Sequence, residues 1–329
     1  MNSLFDAWAD IFARVQQGLF EWIFQPVMLA LDMANLLEDG YRATGWFLLG
    51  LVQVLVIACV IVPLERSRPA EPVTNRATIR VDVIYTLIHR LGLFRLLMFI
   101  TLEPALDEAF GALRSGSLIP SGLQGDTSFG LGTFHLDQLW PGVTDMALVS
   151  LLIYVVAFDF VEYWIHRAQH GLGAWWALHS LHHAQTQMTC WSDNRNHLLD
   201  DAIRDVLMVC AAFLIGVSPS QFVMIVVLTQ LSESLQHANV KLSFGAWGER
   251  LWVSPRFHRL HHSVSHGFGH NFGVLFPWWD MLFRTAKFDA RYEPTGVDDG
   301  RDYGQGFWAQ QSLGWRRLAE QFGRRYKGE

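Results

Sequence analysis

Fourteen histidines stand in the 329 residues, and twelve of them fall between positions 166 and 270. His166 and His170 lie at i and i+4 in HRAQH. His179, His182 and His183 lie at i, i+3 and i+4 in HSLHH, and His258, His261 and His262 repeat that spacing in HRLHH. His237 stands alone in LQHANV. Residues three and four apart share one face of a helix, so each group aims at least two imidazoles the same way. Imidazole is the commonest metal ligand and suits iron, zinc and copper. A structural zinc takes four ligands and a catalytic zinc three, so nine clustered histidines point to two ions. A chance cluster on a surface helix explains one HxxHH, but not two of them with an HxxxH close by.

Other residue types narrow the chemistry. There is no HExxH, so no zinc-hydrolase pair with its glutamate base, and no repeated Glu-x-x-His of soluble di-iron bundles. Cys59, Cys190 and Cys210 lie far apart with no CxxC, which argues against a disulfide framework and a thiolate zinc site. Neutral imidazoles at a membrane face point to a non-haem di-iron centre that uses O2 on a lipid. No catalytic residue is needed beyond the metal ligands. The competing class is a non-enzymatic metal- or haem-binding membrane protein. Bis-histidine haem sites put pairs in mid-span, whereas these histidines follow the spans in triplets.

Carboxylates lie nearby. Asp159, Glu162, His166 and His170 form one helical stripe. A ligand histidine usually donates its second N–H to a carboxylate or carbonyl, so Asp159 or Glu162 is a candidate to orient His166 or a neighbour. Pairing with Arg90 or Arg95 between helices is the other reading.

The elements that must position these groups read as membrane helices. The chain is 51% hydrophobic and 17% charged, against about 25% charged in ordinary soluble domains. A net charge of −6 argues against a nucleic-acid partner. Expected spans cover residues 45–62, 83–102 and 145–164, with a short apolar hairpin over 203–215 and 221–235. Residues 1–43 read as amphipathic, interfacial helices with no cleavable signal peptide. Residues 44–287 read as the membrane-embedded catalytic domain, and 288–329 as a basic amphipathic cytoplasmic tail or a docking surface for an electron donor. Arg66, Arg68, Arg76 and Arg80 follow the first span, while 103–142 carries one basic residue, Arg114. The positive-inside rule then puts the histidines on the cytoplasmic side. The expected fold is all-α, a multi-span helical membrane protein with a cytoplasmic histidine-rich di-metal cap.

HRAQH, HSLHH and PRFHRLHHS, followed by HNFG and WWDMLFRT, resemble the fatty acid hydroxylase / sterol desaturase superfamily over roughly residues 145–287. The resemblance implies a membrane di-iron oxygenase with two irons on the nine histidines, O2 as co-substrate, and an external reductase, ferredoxin or cytochrome as donor. Its implied activity is lipid hydroxylation, with desaturation as the alternative. RNHLLD, Arg195 to Asp200, looks like a family R-x-H-x-x-E segment, which makes His197 either a tenth ligand or a hydrogen-bonding neighbour. Glu233 stands where some relatives have a further histidine, which makes it either a carboxylate ligand or an unrelated polar residue, and it is placed among the supporting groups. Asn271 and Trp279-Asp280 are expected to shape the wall after the last ligands. His266 and His270 read as solvated loop residues.

Overall fold

The computed structural model describes residues 2–102, 108, 135–265, 267–289 and 291–327. Most of the expected 103–142 loop, including Arg114, and His266 lie outside the described residues. Among those described there are helices and no strands, and helix makes up 68% of the fold.

α1 (Asn2–Leu19) continues through a wider π turn into α2 (Gln25–Ala30) and lies against α3 (Leu37–Val56). Gln16 donates to the Tyr41 carbonyl at 2.9 Å, and Phe20 packs edge-on to Tyr41. Trp8, Trp22, Ile23 and Val27 stay exposed. α3 runs through a second π turn into α4 (Val62–Ser67).

Among the described residues, two helices are long and apolar enough to cross a membrane, Ala34–Ser67 and α7 (Ala147–Gly171). The expected span over 83–102 is not one helix. α5 (Arg76–Arg90), capped by Asn75, stops at Gly92, whose φ of +81° begins α6 (Leu93–Thr101). Only glycine takes that conformation without strain, so the break is written at this position. α5 also buries Asp82, Thr86 and Arg90, and so packs against protein. A Cβ on Gly50 would sit 1.5 Å from the Arg90 carbonyl oxygen, so α3 and α5 touch backbone to backbone. Arg90 then donates to Gln53 (2.8 Å), Asp193 (2.7 Å) and Ser234 (3.0 Å). A buried cation requires such partners.

The apolar hairpin forms as α9 (Leu198–Ile215) and α10 (Pro219–His237), turning at Gly216 and capped by Ser218. Between α7 and it comes the short α8 (Gly173–His183). After α10 follow α11 (Gly245–Leu251), α12 (Pro255–His261), α13 (Trp278–Leu282) and α14 (Phe307–Lys327). α14 is not a free tail. It packs on α8, with Arg317 donating to the Ala177 carbonyl at 2.9 Å and Gln311 donating to Tyr85 at 2.9 Å. Its outer face keeps Trp308, Trp315 and Phe322 exposed. Tyr154, Val155, Phe158, Ile225, Leu275 and Phe276 form the core beneath the histidines.

Candidate metal centre

Each histidine group ends a helix. α7 carries His166 and His170 on its last turns. The chain reverses at Leu172, and α8 carries HSLHH to its C-terminus. Ser254 caps α12 and Pro255 opens it, so HRLHH follows at once; Pro at the first helical position gives up a donor that would be unpaired anyway. His237 closes α10.

These ends meet. One nitrogen each from His166, His170, His183 and His261 lie within 4.8 Å of one another, and so do one each from His182, His237, His258 and His262. The quartets adjoin, with the His183 and His262 rings stacked 4.2 Å apart. His179 belongs to neither, yet its ring lies 5.1 Å from both His170 and His183 and 5.4 Å from both His166 and His182. Its Nε2 is buried without a hydrogen-bond partner.

The donor set fits metal ions. In the second quartet Nε2 atoms approach in series: His182 to His237 at 3.1 Å, His237 to His258 at 3.1 Å and His258 to His262 at 3.2 Å. His237 gives its Nδ1 proton to the Glu233 carbonyl at 2.8 Å, so its Nε2 is a bare lone pair. Two nitrogens each about 2.1 Å from one ion, the usual metal–imidazole length, stand at this separation when roughly at right angles. His170 and His183 leave both ring nitrogens unbonded, and His261 leaves Nε2. Burial first, and then the neighbouring imidazoles, pushes His182, His183, His258 and His262 far below the usual histidine range. Burial does the same to His261. Neutral imidazole is the form that binds metal.

Supporting bonds set the tautomers. His166 Nδ1 donates to the Phe272 carbonyl (2.9 Å) and His261 Nδ1 to the His270 carbonyl (2.7 Å). Asp200 accepts from His179 Nδ1 (2.9 Å), Gln169 (2.7 Å) and Trp175 (2.6 Å). Asp159 touches no histidine. It takes the backbone N–H of Leu275 and Phe276 and the Trp279 indole, while Asp280 takes those of Phe272 and Gly273. The two carboxylates hold the strap whose carbonyl orients His166. Asn271 at φ +57° locks it further, donating to the Phe257 and Lys287 carbonyls and accepting from Lys287.

The side chains of several expected site residues bond to groups other than the ligands. His197 has both ring nitrogens engaged: Nδ1 accepts from Leu199 N (3.2 Å) and Nε2 donates to the Gln311 carbonyl (3.0 Å). It is a helix cap and a tie to α14, with no nitrogen left for a metal. Arg195 faces Asp82 at 3.6 Å. Glu162 and Glu233 pair neither with Arg90 nor with Arg95, but share Arg204 at 2.8 and 3.0 Å; Arg95 lies 3.8 Å over the Trp46 ring. His270 is buried, 1% exposed, and donates from Nε2 to the Leu260 carbonyl, so it is no solvated loop residue. Arg204 was legible but missed: a charge inside an apolar helix demands an opposite charge.

A cavity of about 50 Å³ reaches His166, His179, His182, His237 and His258. It adjoins a chamber of about 120 Å³ between α6, α7, α9 and α10.

Residues 151–285 match the family model for fatty acid hydroxylase. Ornithine lipid hydroxylase OlsE of Rhizobium tropici is 29% identical over 60% of this chain and 57% of its own length. Alkylglycerol monooxygenase of Caenorhabditis elegans is 28% identical over 41% of this chain and 26% of its own length. Delta(7)-sterol 5(6)-desaturase ERG3B of Gibberella zeae is 30% identical over 42% of each. The chain therefore spans from a quarter to somewhat over half of these relatives. No solved structure matches.

Proposed function

We propose that this chain, whose residues 151–285 form a fatty acid hydroxylase domain, is a membrane-bound non-haem di-iron oxygenase. In this reading it hydroxylates an aliphatic C–H bond of a lipid with O2 and two electrons. The observation that carries the reading is the pair of adjoining histidine quartets. His166, His170, His183 and His261 would hold one ion and His182, His237, His258 and His262 the other, with His179 beside both. Bound iron supplies O2 activation and C–H cleavage, the part of the reaction that no side chain performs.

The chain's own contribution is position, protonation state and exclusion of water. The carbonyls of Phe272, Glu233 and His270 take the Nδ1 protons of His166, His237 and His261, leaving Nε2 as the donor atom of each. Asp200 does this for His179 and binds it with a charged partner, which strengthens the imidazole as a donor. All of these rings are buried or nearly so, which keeps bulk water off the reacting centre. The chamber beyond, with Phe94, Phe158, Phe222 and Ile225 in its wall, suits the apolar part of a lipid.

Two of the relatives carry hydroxylase or monooxygenase in their names, which favours oxygen insertion. The likeness to a sterol desaturase supports desaturation as the second reading. The centre is proposed to face the cytoplasm in a multi-pass protein and to draw electrons from a separate reductase, ferredoxin or cytochrome. The test incubates membranes with candidate lipids, a reductase system and labelled O2. One labelled oxygen atom in the product is the expected result. Loss of two hydrogens without oxygen would establish the desaturase, and full turnover under strict anaerobiosis would overturn both.

A further inference from the structure

We propose that Phe222 closes the far end of the chamber beside the histidines and sets the length of the lipid chain that the protein accepts. The inference rests on the lipid-oxygenase reading and names the side chain that selects among its substrates. Three helices line the site in stripes. On α10 the lining runs from His237 and Gln236 through Glu233 and Thr229 to Ile225 and Phe222, and residues so spaced keep to one helical face. On α9 it runs from Asp201 and Arg204 to Met208 and Val209, and on α7 from His166 and Glu162 to Phe158. Each stripe is polar at the histidines and turns apolar away from them. Hydrocarbon at the inner, charged end would strip water from polar groups and return no hydrogen bond. A lipid therefore fits with its polar head toward the histidines and its chain toward Phe158 and Phe222.

The stripes end on two rings. Phe158 and Phe222 meet at 5.4 Å, and both pack on the core of Tyr154, Val155, Leu275 and Phe276. From Glu233 to Phe222 α10 rises about 16 Å, and the chamber it lines holds about 120 Å³. That is long and narrow, the shape of a single aliphatic chain. Of the two rings, Phe158 is 1% exposed and belongs to the core, whereas Phe222 is half-buried at the edge of it. Phe222 is therefore the part of the floor that can be exchanged with the least harm to folding. Each methylene that enters apolar surroundings is worth about fourfold in affinity. One that meets the floor adds nothing, so a closed end selects chain length steeply. The rival account is that a long chain leaves past Val209, a lining residue that is 40% exposed, so that its length is not read at all.

The full chain, purified in neutral detergent, is titrated calorimetrically with straight-chain alcohols from octanol to octadecanol. Wild type and Phe222→Ala are compared at each length, so that partition into the detergent cancels. The two affinities are expected to be equal for short alcohols. Beyond the length that fills the wild-type slot, their ratio is expected to rise in favour of the variant by about fourfold per methylene. Phe222→Trp is expected to move the break to shorter alcohols, and it carries the test if the alanine variant fails to fold. A ratio that does not change with length in either variant would overturn the inference. So would weaker binding of the long alcohols by Val209→Trp while both Phe222 variants bind as the wild type does, because the chain would then leave past Val209. A length break without oxygen incorporation into any lipid would sink the oxygenase reading and leave the slot. Oxygenation of lipids with no length break would do the reverse.

Discussion

The histidine centre and the carboxylate chamber lie against each other and are built on opposite principles. The centre gathers neutral groups of one type, and four of its imidazoles are steered by a carbonyl or by Asp200. The chamber gathers charged groups of both signs, and its carboxylates outnumber the arginines. A metal brings its own charge and needs lone pairs fixed in direction.

The sharpest way to break the comparison is to remove a ligand. His261→Ala or His182→Ala is expected to abolish turnover and to lower iron from about two per chain to about one, read by elemental analysis of purified protein. Retained activity with normal iron would show that the quartets are not the metal sites. Next in size, Arg204→Ala leaves Glu162 and Glu233 facing each other uncompensated, at a cost of about 3 kcal/mol. Thermal unfolding should show the loss, and Glu162→Gln in the same chain should recover part of it. An unchanged melting temperature would mean that the triad is solvated.

Asp200→Asn keeps the shape and removes the charge that holds His179. Metal affinity should fall about 10- to 100-fold, measured by competition with a chelator. No change would leave His179 outside the metal shell. The pH dependence concerns the metal-free protein. His182, His183, His258, His261 and His262 titrate well below their ordinary value of 6.5 when folded, so below that value the unfolded chain takes up protons that the folded one refuses. Stability is therefore present above pH 6.5 and is lost as pH falls beneath it. Denaturant midpoints at pH 7.5 and 5.5 should show the decline; a flat profile would contradict neutral burial. The smallest effect is expected for His197→Gln, which alters a cap and a tie to α14 but no lone pair aimed at metal. Iron content should stay the same, and its loss would make His197 a ligand after all.

The histidine spacing was readable because a helix turns a sequence period into a shared face. HSLHH and HRLHH must each present neighbouring imidazoles whatever the rest of the chain does. Local signals of the same kind set the Asn75, Ser218 and Ser254 caps and the apolar run of Ala34–Ser67. The second expected span failed at Gly92 because hydropathy averages over a break that one left-handed residue makes. The tail over 288–329 was read from its own amphipathic pattern, which cannot say whether a face meets lipid or, as with Gln311 and Arg317, another helix.

By itself, then, the sequence determined that eight imidazoles stand in helical groups with a ninth, His237, apart, beside apolar helices and without an HExxH, because those properties are local. Only the tertiary structure decided how eight of the nine divide into two quartets, that Asp200 rather than Asp159 or Glu162 steers a histidine, and that His197 faces α14. It also decided that Asp159, Glu162, Asp201 and Glu233 share a chamber. Which carboxylate meets which base depends on helices that cross far apart in the chain. Buried charge has no period along a sequence; its partners are set by packing, and so they could be found only where the helices meet.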